Sequence, residues 1–344
     1  MGVINIDPIR QVDRFLETEI ESRALALALS RGLVDLLAGR QSVARSDIYR
    51  LAQMPETAFD FFLQLLASNG VVRGEDPLRL TPDFREALAH RDLLEAKLWF
   101  ANLAAPDVHG LFAELLSDIP QFMARAQVFE LFRYDRCMEV TPENLSATAR
   151  WVGYTSTLTR YEAPACLDRL NLAGHRRILD VGGNSGEFAR QICERNPSME
   201  ATVFDLPVVC ALGRRHVSGS PQAARITFEE GDFRRDRLPA GHDIISFKSV
   251  LHDWPRDDAA TFMREAAAAL DPGGRMVIFE RMPIEPAGIR LPYSMVANLV
   301  FLPFFRKPDF YAAELDKLGF IDISVQFVGI EMPFALITAR KKWQ

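Results

Sequence analysis

The chain has 344 residues, 48% of them hydrophobic and 25% charged, with a formal net charge of −6. That length exceeds one ordinary core and predicts two domains, and the composition belongs to a folded globular protein rather than a disordered one. A net negative surface repels polyphosphate, which argues against nucleic acid as the default partner and favours a small or uncharged molecule.

Cys137, Cys166, Cys193 and Cys210 are too widely spaced for a CxxC or Cys/His metal cluster, so reduced structural thiols and no metal site are expected. The amino terminus MGVINIDPIR has no apolar core of signal-peptide length, and Ile6 stands where myristoylation at Gly2 requires Ser or Thr. The densest apolar run, from Val296 to Phe305, is broken by Asn298 and Pro303 and is too short to cross a bilayer. A cytoplasmic location without membrane contact is expected.

From Asp13 to about Leu94 the apolar spacing is helical, with Phe15, Ile20, Leu25, Leu29, Leu33, Leu36 and Leu37 on one face. Ser46 is expected to cap a helix through Ile48 and Leu51, and Pro55 to open another carrying Phe59, Phe62 and Leu66. Gly70 stops it, and residues 71–73 with 78–80 predict a small two-stranded wing. A helix-turn-helix with a wing suggests DNA binding, but the stretch 55–69 contains no Lys or Arg for phosphates. Its apolar surface favours packing or homodimerisation instead, and residues 1–100 are assigned to a helical winged-helix dimerisation domain. Residues 101–170 continue as an aromatic-rich helical linker, from which Trp151 and Tyr154 are candidates to line a substrate pocket.

After His175 the rhythm changes to short buried-type strands over 177–181, 201–204, 226–229, 243–247, 275–279, 321–327 and 334–338. Helical stretches over 187–195 and 258–270 alternate with them, which predicts an α/β, doubly wound and mostly parallel sheet over 171–344. The last two strands lie too close together for a crossover, so at least one is expected to run antiparallel.

The first of these strands ends in Ile178-Leu-Asp-Val-Gly-Gly-Asn-Ser-Gly-Glu187. Gly182, Gly183 and Gly186 let backbone approach a ligand, and Asp180 ahead of them suits an amino-bearing ligand better than a pyrophosphate. Tight strand-to-helix packing is the alternative for this turn. Asp205, followed by Leu206, closes the second strand where a carboxylate can take both ribose hydroxyls, or can cap the next helix. Gly231-Asp232-Phe233 places a further carboxylate on the same rim, open to an exocyclic adenine amine. The fourth strand delivers Lys248 and then His252-Asp253-Trp254 beside the first. His252 is therefore either a structural histidine or a proton acceptor over the crevice, and Asp253 and Trp254 are expected to cap and pack the following helix.

The stretches LDVGGNSG, FDLPVV, GDF, FKSVLHDW and LDPGGRMVIFE, with the late segment from Arg306 to Gly319-Phe320, resemble the small-molecule O-methyltransferase family of plant caffeate and flavonoid enzymes and bacterial natural-product enzymes. The likeness covers nearly the whole length. It implies a Rossmann-like class I methyltransferase sheet, a winged-helix dimerisation domain and S-adenosylmethionine as cofactor. In similar proteins Gly182, Asp205, Asp232, Phe233 and Lys248 fall on cofactor-holding positions, His252 on the general base, and Glu280 on the acid that orients it. Two departures stand out. Asn184 replaces a third glycine, and Phe310 stands where a second glutamate is expected, with neighbouring Asp309 as its substitute although a helix would point it elsewhere. Met295, Asn298, Phe301, Phe304 and Phe305 resemble the acceptor-pocket region, to which Asp253 is added, and predict an apolar or aromatic small-molecule acceptor. Methyl transfer to oxygen is the leading expectation. Transfer to nitrogen or carbon, or another reaction with the same cofactor, is the second, and a ligand-sensing DNA-binding regulator the third.

Overall fold

A computed structural model describes residues 7–284 and 291–343. Gly2, Ile6 and residues 285–290 lie outside them. The described residues pack into two compact units, 7–127 with 291–300 and 128–284 with 301–343.

The first unit is helical. The long face expected from Phe15 to Leu37 is divided between helices Glu19–Ser30 and Leu33–Ala38, because Gly32 turns left-handed at φ 72°. Helix Arg45–Ala52 begins one residue before Ser46, with Ala44 at its cap, so Ser46 lies within the first turn and does not cap it. Helix Glu56–Ser68 follows Pro55 and buries Phe59, Phe62, Leu63 and Leu66. Strands β1 (Val72–Arg73) and β2 (Arg79–Leu80) then pair antiparallel. The boundary expected at residue 100 falls inside helix Arg91–Gly110, whose buried Leu93, Leu98, Ala101 and Val108 tie it into this unit. Residues 101–127 thus belong to the first unit.

The second unit is built on a sheet of β3 (Arg177–Val181), β4 (Glu200–Asp205), β5 (Ile226–Glu230), β6 (His242–Lys248), β7 (Leu270–Arg281), β8 (Ile321–Gly329) and β9 (Pro333–Arg340), in the order β5-β4-β3-β6-β7-β9-β8. The first five strands of that order run parallel; β9 is antiparallel to both β7 and β8. Leu179, Ile245, Phe247, Met276, Ile278 and Ile337 form the sheet's buried core. The chain moves outward from β3 to β5 and returns on the other side at β6. The crevice at the carboxyl ends of β3 and β6 is therefore the switch point where open α/β sheets bind ligands. Helix Pro142–Leu167 packs on Glu187–Arg195 and Pro207–Val217, burying Val152 with Leu206, Val208 and Val209.

Candidate active site

The register of β3 on β6 sets Asp180 beside Ser246, whose Oγ donates to Asp180 Oδ1 at 2.7 Å. Asp180 Oδ2 has no hydrogen-bond partner among the described residues, and burial pushes this carboxyl up to about 7. A buried oxygen left so is costly unless a ligand donates to it. The glycine turn closes around it. A side chain at Gly183 would put Cβ 2.5 Å from that oxygen, and one at Gly182 (φ 64°) would meet Val250 at 3.0 Å. Asn184 takes the left-handed conformation at φ 55°, and its N–H donates to Asp205 Oδ2 at 2.8 Å.

Asp205 closes β4 and accepts a second N–H, from Leu206, on Oδ1 at 2.8 Å. Leu206, not Asp205, occupies the cap position of helix Pro207–Val217. Each carboxylate oxygen retains a lone pair for a further donor, and burial pushes the group up to about 6. Gly231 allows backbone to pass the Phe204 ring, 2.3 Å from where its Cβ would stand. Beyond it the Asp232 carboxylate is already engaged. Arg234 grips it through Nε and Nη2, both at 2.6 Å, and holds it below the usual carboxylate range against the upward push of burial. That guanidinium lies 4.8 Å from the Tyr134 ring centre and 5.5 Å from that of Trp254. The carboxylate expected to be open to an adenine amine is thus paired. Phe233 packs edge-on against Phe262 at 4.8 Å, with Trp254 beside it at 6.0 Å. Trp254 packs as expected, but Pro255 rather than Asp253 stands at the cap of helix Arg256–Ala269.

Past β6, Ser249 is left-handed at φ 54°, and residues 251–253 form one tight 3-10 turn. Glu280, next to last in β7, reaches across to this turn. Its Oε1 accepts the N–H groups of Val250 and Leu251 at 2.8 and 2.7 Å, and its Oε2 lies 2.6 Å from His252 Nδ1. Burial opposes charge on Glu280, yet His252 and the two N–H groups outweigh it and hold the carboxyl below its ordinary value. An ionised Glu280 only accepts, so Nδ1 carries the proton and the Nε2 lone pair is left for chemistry. Asp253 Oδ1 lies 3.4 Å from Nε2. The rings of Phe301 and Phe305 each stand 5.6 Å from the imidazole.

Lys248 points its ammonium to helix Pro142–Leu167, where it bonds Thr159 Oγ1 at 3.1 Å and pairs with Glu162. Arg281 pairs with the other oxygen of Glu162, donates to Ser249 Oγ at 2.9 Å and lies 3.6 Å from Glu331. These four charges are almost fully buried. Sequence reasoning missed Glu162, Arg281 and Glu331. The available signal was an acid and a base set in apolar stretches, Glu162 before Ala163-Pro-Ala-Cys-Leu167 and Arg281 ending a buried strand.

Trp151 and Tyr154 sit on the same helix with ring centres 5.5 Å apart, Tyr154 buried. Met295 and Asn298 are buried in the first unit, where Asn298 Nδ2 lies 3.4 Å from Met295 Sδ. Asp309 is exposed in the first turn of helix Pro308–Lys317, and the acidic groups beside His252 are Glu280 and Asp253. The place expected for a second carboxylate near the imidazole is thus not taken by Asp309. Phe310 is buried against Tyr311, its ring flanked by the guanidinium groups of Arg256 and Arg306 at 4.9 and 5.4 Å.

Residues 146–302 match the model of the O-methyltransferase domain family. The chain is 38% identical over 125 residues to 3-hydroxy-5-methyl-1-naphthoate 3-O-methyltransferase of Streptomyces sahachiroi, covering 36% of this chain and 35% of the relative. It is 35% identical over 144 residues to aclacinomycin 10-hydroxylase RdmB of Streptomyces purpurascens, covering 42% and 38%. The chain thus matches little more than a third of the length of either curated relative. The solved structure of human N-acetylserotonin methyltransferase in complex with SAM superposes with a TM-score of 0.74 at 21% identity, over 99% of this chain and 100% of that one, a likeness of fold. Residues 146–302 thus resemble the O-methyltransferase domain, and the likeness of fold extends over the chain.

Proposed function

We propose that the protein is an S-adenosylmethionine-dependent O-methyltransferase acting on a small, apolar or aromatic hydroxylated molecule of natural-product type. The observation that carries this reading is the Glu280-held imidazole at the same sheet edge as the unpartnered oxygen of Asp180. The residues present fit the cofactor. Asp180 Oδ2 would take its amino group, the turn through Gly182, Gly183 and Gly186 would admit its chain close to backbone, Asp205 would take its ribose hydroxyls, and Leu206 and Phe233 would hold its base. Asp232 and Lys248 act through their own partners, Arg234 and Glu162. Bound there, S-adenosylmethionine supplies a methyl group on a sulfonium centre.

His252 Nε2 takes the hydroxyl proton of the acceptor as its oxygen attacks. Glu280 stabilises the imidazolium through Nδ1–H, and Asp253, close to Nε2, adds a second negative neighbour. Phe301 and Phe305 exclude water around the ring, and Trp151 and Tyr154 extend an aromatic surface for the acceptor. The Streptomyces sahachiroi relative is named for a hydroxynaphthoate, which makes that compound the first member of an acceptor panel of hydroxylated aromatics. A second reading, hydroxylation on the same scaffold with dioxygen and a two-electron reductant supplied from outside, one oxygen atom entering the product and the other leaving as water, is favoured by the relative named as a hydroxylase and by Phe310 standing where a carboxylate is expected. Calorimetry with S-adenosylmethionine and S-adenosylhomocysteine, followed by product mass over the panel, tests both: a methyl gain supports transfer, an oxygen gain the second reading, and no cofactor binding refutes either.

The same reading makes the protein a cytoplasmic homodimer that does not bind DNA. Dimerisation through the first unit is supported by its exposed Ile20, Phe61, Phe112 and Leu116. Helix Glu56–Ser68 brings no Lys or Arg to meet phosphate, its exposed acids being Glu56 and Asp60, the latter paired with Arg45, and all four cysteines are unpaired and buried, as in a reducing compartment. No helix among the described residues is long and apolar enough to cross a membrane. Sedimentation and a gel shift with duplex DNA check the assembly and the absence of DNA binding.

A further inference from the structure

The turn bearing His252 is held from two sides. Glu280 takes its leading N–H groups. At the other end a guanidinium takes carbonyls: Arg306 Nη1 donates to Leu251 O at 2.8 Å, and Nη2 donates to Trp254 O. The turn's own bonds are long, 3.2 Å from Asp253 N to Val250 O and 3.4 Å from Trp254 N to Leu251 O. One 3-10 turn cannot satisfy its ends from within, so outside partners decide how firmly it is fixed. A charged two-point donor sets direction as well as distance. Arg306 is itself braced by the Phe310 ring.

The geometry points to Arg306 as a positioning residue. By pinning the carbonyls on both sides of residue 252, it fixes where the imidazole stands and how Nε2 faces the crevice. Glu280 holds the ring by one bond and the leading end of the turn by two, which leaves its carbonyls and its trailing end at Trp254 to be fixed by Arg306. The inference rests on the reading of His252 as proton acceptor, but the position of the ring can be measured without turnover.

A cavity of about 650 Å³, lined by Pro255, Pro303, Phe304, Lys307 and Phe310 among others, opens beside Arg306. Removing the guanidinium therefore leaves a route by which a free guanidinium ion can reach the same carbonyls. The test uses full-length protein with 15N-labelled histidine, saturated with S-adenosylhomocysteine, with the His252 signals assigned by their loss in His252→Ala. Arg306→Ala is expected to shift or broaden the His252 ring nitrogens, to change S-adenosylhomocysteine affinity less than severalfold, and to recover the native signals in millimolar guanidinium chloride. Arg306→Met keeps the aliphatic stem on Phe310 and is read in the same way should the alanine variant not fold. Turnover on an acceptor from the panel falls by about 100-fold or less, as for a misplaced catalytic group. Native His252 signals in Arg306→Met would overturn the inference even if His252→Ala proved inactive. Displaced signals with a fully active His252→Ala would keep the clamp and remove the base.

Discussion

Ser246 donates to one oxygen of Asp180 at 2.7 Å, and the other oxygen of that buried carboxyl has no partner among the described residues. This half-satisfied group couples stability to ligand binding. Burial raises the Asp180 carboxyl from its ordinary 3.8 to about 7, so the folded protein holds this proton more tightly than the unfolded chain. The associated stability is fully present below pH 4 and is lost as pH rises through 7. Asp180→Asn removes that loss. The cofactor-free variant should be the more stable above pH 7, by up to about 4 kcal/mol on the size of the displacement, and should bind S-adenosylmethionine at least tenfold more weakly. Thermal melts at pH 5 and pH 8, with calorimetry, check both signs.

Glu280→Gln replaces an acceptor by a group that can present an N–H to His252 Nδ1. The imidazole is then driven toward the tautomer with its proton on Nε2, where it cannot accept another. Turnover should fall by about 100-fold to 10,000-fold, the range of a lost proton acceptor, with S-adenosylhomocysteine affinity within a few-fold of native. Steady-state kinetics beside calorimetry separates the two effects.

Glu162 is the shared anion of Lys248 and Arg281, and all three side chains are at most 8% exposed. Removing one member of a buried ionic group leaves its partners uncompensated, at a cost of about 3–5 kcal/mol. Glu162→Ala should lower the urea midpoint accordingly, with no change in slope. A loss below 1 kcal/mol would mean that Glu331 already carries the balance for Arg281.

Asp309→Ala should leave turnover within about twofold and stability within about 1 kcal/mol, the loss expected for an exposed acid in a first helical turn. A large fall in turnover on the acceptor panel would return Asp309 to the site from which its exposure removes it.

The parallel part of the fold was legible because its strands and helices keep their periods. The expectations over 177–181 and 187–195 match β3 and helix Glu187–Arg195 residue for residue. β7 runs from Leu270 to Arg281, longer than the expected 275–279, because Asp271-Pro272-Gly273-Gly274 reads as a turn yet only bulges between the pairs His242–Leu270 and Ile244–Arg275 without ending the strand. In the first unit the missed break at Gly32 and the misplaced cap at Ser46 follow from local turns that apolar spacing does not encode. The rim carboxylates could be named from their motifs. Their partners could not: Arg234 on Asp232 is a rotamer choice, and Glu162 with Lys248 and Arg281 joins positions 86 and 119 residues apart. Nor does any local pattern bring Arg306 onto the carbonyls of Leu251 and Trp254.

The most direct measurement uses S-adenosylmethionine with a 13C-labelled methyl group, the first acceptor of the panel that turns over, and product mass and carbon shift for native protein and His252→Ala at saturating cofactor. The account predicts a labelled methoxy carbon from the native protein and a rate at least about 100-fold lower for the variant. An equal rate from His252→Ala, or a product that gains oxygen and no label, would contradict it.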